Sequence, residues 1–360
     1  MNNREAIQLG AGRYIQYYGA LDEIGTEASS VGRKAYILGD ETTLAKVMKK
    51  MGMKLQQAGV DYAVKAFDEP AVDASFEQIA QEVRESGADV IIGVGGGKTI
   101  DIAKAASDLA DVKIITVPTS AATCASYAVL YVAYNENGSV NGSRFMHHEV
   151  SAVIVDLEIV QDDCPPRYFA SGIADAMAKN PEIMFTMIRL GTANNRANTD
   201  AATVVAKYTY DNYLEKAQKA YEAFVNKEHC DLVEDIVCCN IMLTGLVSNL
   251  STGGKQLALA HNFYDAVCCM YKEVRRQYLH GELVGLGIPL QLGVNGVPQE
   301  EIEATKKFLA SIHVPVTLKE IGISTDDATL EKLTDYILNA TDKDDPKLRA
   351  AIRANLKYML

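Results

Sequence analysis

The stretch that decides the fold runs from residue 89 to 110 and reads DVIIGVGGGKTIDIAKAASDLA. It opens with a short apolar run rich in β-branched residues, the pattern of a strand buried on both faces of a parallel sheet. It closes, from about Thr99, with helical spacing. Between the two stand Gly95, Gly96 and Gly97. Glycines let a backbone approach a pyrophosphate closely, and a helix N-terminus offers free N–H groups and a partial positive charge. Lys98 adds a cation. The motif is neither GxGxxG nor GxxxxGK[ST], so a plain tight turn stays open beside a phosphate-binding loop.

Outward from this stretch the same alternation recurs. Residues 34–39 (KAYILG), 62–67, 113–117 (KIITV) and 152–155 read as strands, and 42–59 and 76–87 as helices. Strands alternating with helices predict an α/β domain, a parallel sheet with helices on both faces. A hairpin is expected from 129–134, a turn at Asn137-Gly138 and a return strand. Past Asp156 the character changes. Residues 168–190, 194–224, 232–250, 256–269, 281–293, 299–311 and 329–339 all read as helices, with no strand pattern of comparable strength. The expected organisation is a dinucleotide-binding α/β domain over 1–158 and an all-α domain over 159–360.

Composition excludes several functions. The 360 residues carry a formal net charge of -12, whereas a nucleic-acid-binding protein needs a basic patch to displace counterions. No run approaches the roughly 18 apolar residues of a membrane span, and the first residues lack the apolar region of a signal peptide. A cytoplasmic protein is expected, with a small-molecule substrate, no nucleic-acid or membrane partner, and self-association into a homo-oligomer. The seven cysteines include two adjacent pairs and no CxxC, which suits small buried hydrophobes in a reducing compartment rather than disulfides or a cysteine zinc site.

Asp40 follows the 34–39 strand. An acidic residue there can hold a ribose diol and repel the extra phosphate of NADP, or can simply cap the next helix; spacing leaves both open. In the helical half three ligand-type residues stand out: Asp175 in SGIADAMAKNPE, His261 in LALAHNFYDAV and His280 in YLHGELVGLG. A carboxylate on an Ala- and Met-rich stretch is costly unless paired. One Asp and two His suit Zn²⁺ or Fe²⁺ and leave positions open for substrate. They are distant in sequence, however, and a histidine beside an apolar run also suits an ordinary core position.

Six stretches, taken together and in this order, carry a resemblance: GAGRYIQYYGALDEIG, GVGGGKTIDIAKA, VPTSAATCASYAVLYVAYNENG, GIADAMAKNPE, LALAHN and HGELVGLG. The chain resembles the iron-containing alcohol dehydrogenase superfamily, on its glycerol-dehydrogenase-like side, with a dehydroquinate synthase-like architecture. The resemblance implies one divalent metal, Zn²⁺ favoured over Fe²⁺, held by Asp175, His261 and His280. It implies NAD phosphates on Gly95, Gly96, Gly97 and Lys98, with Asp101 nearby, and cofactor contacts from Thr119 and Thr123. Ala128, Leu130 and Tyr134 fall where relatives contact the nicotinamide end, and Asp40 matches the residue that favours NAD.

Two positions depart from the pattern. Cys124 stands where glycerol dehydrogenases carry a polyol-binding Asp, as in some relatives described as hydroxycarboxylate dehydrogenases. Tyr264 stands near where the superfamily has a second histidine after the first metal-binding one, so Tyr264 or water is expected in any proton-transfer role. The implied chemistry is hydride transfer between the nicotinamide and a small alcohol, polyol or 2-hydroxy acid, the metal acting as Lewis acid. A hydroxycarboxylate dehydrogenase proper, a glycerol-1-phosphate dehydrogenase, a 3-dehydroquinate synthase-like lyase and a non-catalytic binding protein are the alternatives. The lyase would show a DSSVGGK-like stretch where this chain has CASYAVLYVAY.

Overall fold

The computed structural model describes residues 7–188, 197–251 and 257–360. Parts of three predicted helices, at 189–190, 194–196 and 256, lie outside the described residues. The described chain forms two compact units. The first comprises Met1–Pro165 with Asn240–Asn249, and the second Pro166–Cys239 with Leu250–Leu360.

The described residues of the first unit carry eight strands: β1 (Arg13–Tyr17), β2 (Lys34–Gly39), β3 (Asp61–Ala66), β4 (Val90–Gly95), β5 (Lys113–Pro118), β6 (Leu130–Tyr134), β7 (Val140–Phe145) and β8 (Ala152–Asp156). Six make one sheet in the order β1-β8-β5-β4-β2-β3, and every pairing in it is parallel. The helices of this unit are α1 (Ile24–Val31), α2 (Glu41–Gln57), α3 (Asp73–Ser86) and α4 (Gly97–Ala110). On one face Ile37, Ile92, Val94, Ile115 and Ile154 join Ile24, Val47, Met51 and Leu55 of α1 and α2 in a single core. On the other face α4 seats against β4 at Gly93, where a Cβ would lie 2.7 Å from Ala103 Cβ. Both faces are therefore covered, which is why the central strands read as unbroken apolar runs. The hairpin forms as expected from β6 and β7. β1 was not legible: it is an edge strand whose five residues are partly buried or exposed, so RYIQY shows neither a continuous apolar run nor strict alternation.

The second unit is helical: α5 (Pro166–Ile188), α6 (Ala197–Val225), α7 (Asp231–Cys238), then, after a segment returned to the first unit, α9 (Leu259–Met270), α10 (Lys272–Gln277), α11 (His280–Val294), α12 (Gln299–Ser311), α13 (Asp327–Thr341) and α14 (Pro346–Asn355). The single helix expected over 232–250 is in fact broken. A π-helical turn, Cys239–Leu243, separates α7 from α8 (Thr244–Leu250). Two buried asparagines account for the membership of this segment in the first unit. Asn240 Nδ2 donates to Ala121 O at 3.0 Å, and Asn249 accepts from Val129 N and donates to Leu9 O. These partners lie more than a hundred residues away, beyond the reach of helical periodicity.

Candidate metal centre and dinucleotide loop

α5, α9 and α11 pack against one another, and two glycines set how closely. A Cβ on Gly281 would lie 1.8 Å from Ser171 O of α5, and one on Gly287 2.8 Å from Ala260 Cα of α9. Only glycine lets α11 meet both backbones at this spacing, and the meeting brings His280, at the first turn of α11, to Asp175 on α5 and His261 on α9. The ligand atoms of Asp175, His261 and His280 all lie within 4.8 Å of one another. His261 Nε2 and His280 Nε2 stand 3.3 and 3.2 Å from the same atom, Asp175 Oδ1.

The surroundings fix these side chains. Glu182, fully buried about two turns along α5 from Asp175, accepts from His261 Nδ1 at 2.6 Å and from the backbone N–H groups of Ala258 and His261. It therefore caps the start of α9 and leaves His261 Nε2 turned to Asp175. Gln291 of α11 completes that cap, its Oε1 accepting from Leu259 N at 2.8 Å. At the start of α11, Glu282 accepts from Leu279 N and is gripped by both Nε and an Nη of Arg167 at 2.6 Å. A bidentate guanidinium–carboxylate pair orients as well as attracts, and it pins the turn that carries His280. Tyr264 packs the edge of its ring against His280 at 4.3 Å between centroids, and its hydroxyl accepts from Arg275 Nε.

The charges are strongly coupled. Burial works against ionisation of Asp175, yet the two imidazoles hold its carboxyl well below the usual carboxylate range. Burial likewise opposes a proton on His261, but the Glu182 carboxylate outweighs it and pushes that imidazole up to about 9. For His280 burial wins and the imidazole is pulled below its ordinary value. A buried carboxylate facing two imidazole nitrogens, one oriented by a second carboxylate, is the donor set of a zinc- or iron-type site. Asp175, His261 and His280 thus fit a divalent ion.

In the first unit the glycine loop has an open helix start. Gly96 caps α4 without a side-chain hydrogen bond, and a Cβ on Gly96 would meet nothing within 4 Å. Gly95 adopts φ +153°, which disfavours any other residue. A Cβ on Gly97 would lie 3.2 Å from Thr123 Oγ1, so Thr123 sits beside the helix start, and Thr119 N donates to Gly95 O. The free N–H groups, the permissive glycine and the empty space together fit a pyrophosphate. α4 begins two residues before the expected Thr99, so Gly97 and Lys98 already belong to its first turn.

The remaining expected cofactor residues have these surroundings. Lys98 Nζ is hydrogen-bonded to both the carboxylate and the carbonyl of Asp68. Asp101 is buried and paired at 3.3 Å with Lys104, and Lys104 Nζ also donates to the carbonyls of Ala125, Ala128 and Leu130. Ala128 is buried, Leu130 opens β6, and Tyr134 N donates to Ala71 O. Asp40 caps α2: Oδ1 accepts from Thr43 N at 2.9 Å and Oδ2 from Thr43 Oγ1 at 2.6 Å. Cys124 is half-buried, and its carbonyl accepts from Tyr127 N and Ala128 N.

Known proteins are similar to this chain in sequence and in fold. The family model for iron-containing alcohol dehydrogenase matches residues 11–157. A glycolaldehyde reductase of Halobacterium salinarum is 30% identical over 313 residues, 86% of this chain and 84% of that protein. A glycerol dehydrogenase of Thermotoga maritima is 30% identical over 336 residues, 93% of this chain and 89% of that one. The chain belongs to the iron-containing alcohol dehydrogenase superfamily. The solved structure of a probable glycerol dehydrogenase from Sinorhizobium meliloti 1021 superposes with a TM-score of 0.84 at 26% identity, covering 99% of both chains. This alcohol dehydrogenase therefore falls on the glycerol-dehydrogenase-like branch, and it is an oxidoreductase acting on CH–OH groups.

Sequence reading of this alcohol dehydrogenase missed the residues that hold its ligands in place. Glu182, Arg167, Glu282, Arg275 and Lys104 were not singled out. Glu182 had the clearest available signal, a carboxylate next to Pro181 in a stretch rich in Ala, Met, Ile and Phe. Arg167 and Glu282 are 115 residues apart, and nothing in either local context announces the pair.

Proposed function

We propose that this enzyme transfers hydride between a small alcohol, polyol or 2-hydroxy acid and NAD, with one divalent ion, Zn²⁺ rather than Fe²⁺, on Asp175, His261 and His280. The observation that carries the reading is the convergence of these three ligand atoms inside 4.8 Å, with Glu182 orienting His261 from behind. When bound, such an ion supplies Lewis-acid polarisation of the substrate oxygen. The chain's part is to hold the ligands rigidly. Glu182 fixes the ring of His261, Arg167 and Glu282 fix the turn before His280, and Tyr264 buttresses His280 while Arg275 engages its hydroxyl. That engagement favours a positioning role for Tyr264.

NAD would lie with its pyrophosphate on the N–H groups at Gly95, Gly96, Gly97 and Lys98, flanked by Thr119 and Thr123. The nicotinamide end would lie towards Ala128, Leu130 and Tyr134. Asp101 supports this region through Lys104 rather than through an open carboxylate. NAD supplies the hydride acceptor. Cys124 replaces the carboxylate used by polyol-specific relatives. A thiol accepts hydrogen bonds poorly, so glycerol is expected to be held weakly. The enzyme is expected to act in the cytoplasm as a homo-oligomer.

A panel of glycerol, 1,2-diols and 2-hydroxy acids with NAD⁺, in protein reconstituted with Zn²⁺ or Fe²⁺ and after chelation, tests the reading. NADH formation that chelator abolishes and metal restores is expected; activity indifferent to metal would contradict it.

A carboxylate has acceptor positions to spare after two hydrogen bonds, so capping α2 leaves Asp40 able to accept from a ribose hydroxyl. Asp40→Gly separates the two roles. Glycine is a tolerable N-cap, costing only a few tenths of a kcal/mol, whereas losing a charged acceptor should lower kcat/KM for NAD roughly tenfold or more. Removal of the negative charge should raise use of NADP. An NAD/NADP preference identical to wild type would reduce Asp40 to a helix cap.

A further inference from the structure

Lys179 lies on α5 four residues after Asp175 and three before Glu182. Consecutive positions at that spacing stack on one face of a helix, so its stem runs beside the metal ligands. It is only 5% exposed, on a helix whose residues 169–179 are all buried. Among the described residues its Nζ has no hydrogen-bond or ion-pair partner, although Asp175 and Glu182 are both taken by the two imidazoles and the backbone. The other cation near the triad, Arg275, is occupied by Tyr264 and by Tyr278 O.

A buried charge without a partner is costly and is retained where something outside the chain completes it. From this, and resting on the dehydrogenase reading above, we infer that Lys179 is the anchor for a carboxylate carried by the substrate next to its reacting carbon. The substrate class is then a small 2-hydroxy acid and its 2-oxo acid, rather than a neutral polyol. The positive charge of Lys179 acts on Asp175, His261 and His280 alike, as expected of a cation placed at the same centre.

The test compares two substrates of matched carbon skeleton, 2-hydroxybutyrate and 1,2-butanediol, in metal-loaded wild type, Lys179→Met and Lys179→Arg. A charged hydrogen-bonding partner lost from a desolvated site should lower kcat/KM for the acid roughly 30- to 100-fold, mainly through KM. The diol should lose at least about tenfold less than the acid, because it lacks the carboxylate, whereas any effect of the lost charge on the metal ligands falls on both substrates alike. Lys179→Arg should keep most of the preference for the acid. Equilibrium dialysis of labelled 2-hydroxybutyrate without NAD should show the same loss of binding in Lys179→Met. If that variant fails to fold, the wild type decides, since the inference requires it to prefer the acid over the diol. Equal losses on both substrates, unchanged binding of the acid, or a wild type that oxidises the diol better would overturn the inference while leaving the dehydrogenase reading intact. Failure of both substrates and of the wider panel would instead sink the dehydrogenase reading.

Discussion

His280→Ala is expected to lower kcat/KM by roughly 10³-fold or more, since a Lewis-acid ion contributes several kcal/mol to such a reaction. The reason is specific to the position. His280 is one of three side chains whose ligand atoms lie within 4.8 Å of one another, so its loss leaves only Asp175 and His261. The variant should still fold. The start of α11 is held by Leu279 N on Glu282 and by the Arg167–Glu282 pair, and neither uses the imidazole. Steady-state kinetics and circular dichroism on the same preparations check both halves: activity collapses and helix content stays. Full activity in the variant would exclude His280 from the reaction.

Gly281→Ala, one residue on, should damage the protein for a different reason. Its Cβ would stand 1.8 Å from Ser171 O and 2.7 Å from Ser171 C. These are backbone atoms, so no rotamer change relieves the clash and α11 must move off α5. Overpacking of this kind costs about 3 kcal/mol or more, which is roughly a 6–12 °C fall in Tm for a unit of this size. The displacement also carries His280 away from Asp175, so metal affinity should fall together with Tm. Thermal unfolding with and without added Zn²⁺ measures both. An unchanged Tm would mean that the close contact between α11 and α5 is not what the packing requires.

These two neighbouring positions show what the sequence can and cannot express. The glycines of HGELVGLG are visible as letters, but their purpose appears only when Ser171 and Ala260 are seen against them. The strand–glycine–helix unit around Gly95–Gly97 was legible because its physics is local: buried strand, permissive turn and uncapped helix follow one another within about ten residues. The triad was legible as three ligand-type residues in apolar settings, and the resemblance joined them. The supports were not legible, because a carboxylate such as Glu182 has no local reason to be buried until His261 and the start of α9 arrive from about eighty residues away. The break at Cys239–Leu243 has the same origin. Its helix-like composition says nothing of Ala121 and Val129, whose backbone groups bind Asn240 and Asn249.

The account depends most on Asp175, His261 and His280 sharing a single ion. The most direct test is the bound Zn²⁺ per chain, measured by elemental analysis after reconstitution and gel filtration, in wild type and in Asp175→Asn. The substitution keeps the side chain's shape and removes the charge that both imidazoles face. The account predicts one ion per chain in the wild type and none in the variant, with helix content unchanged. An ion retained by Asp175→Asn, or no ion bound by the wild type, would contradict it.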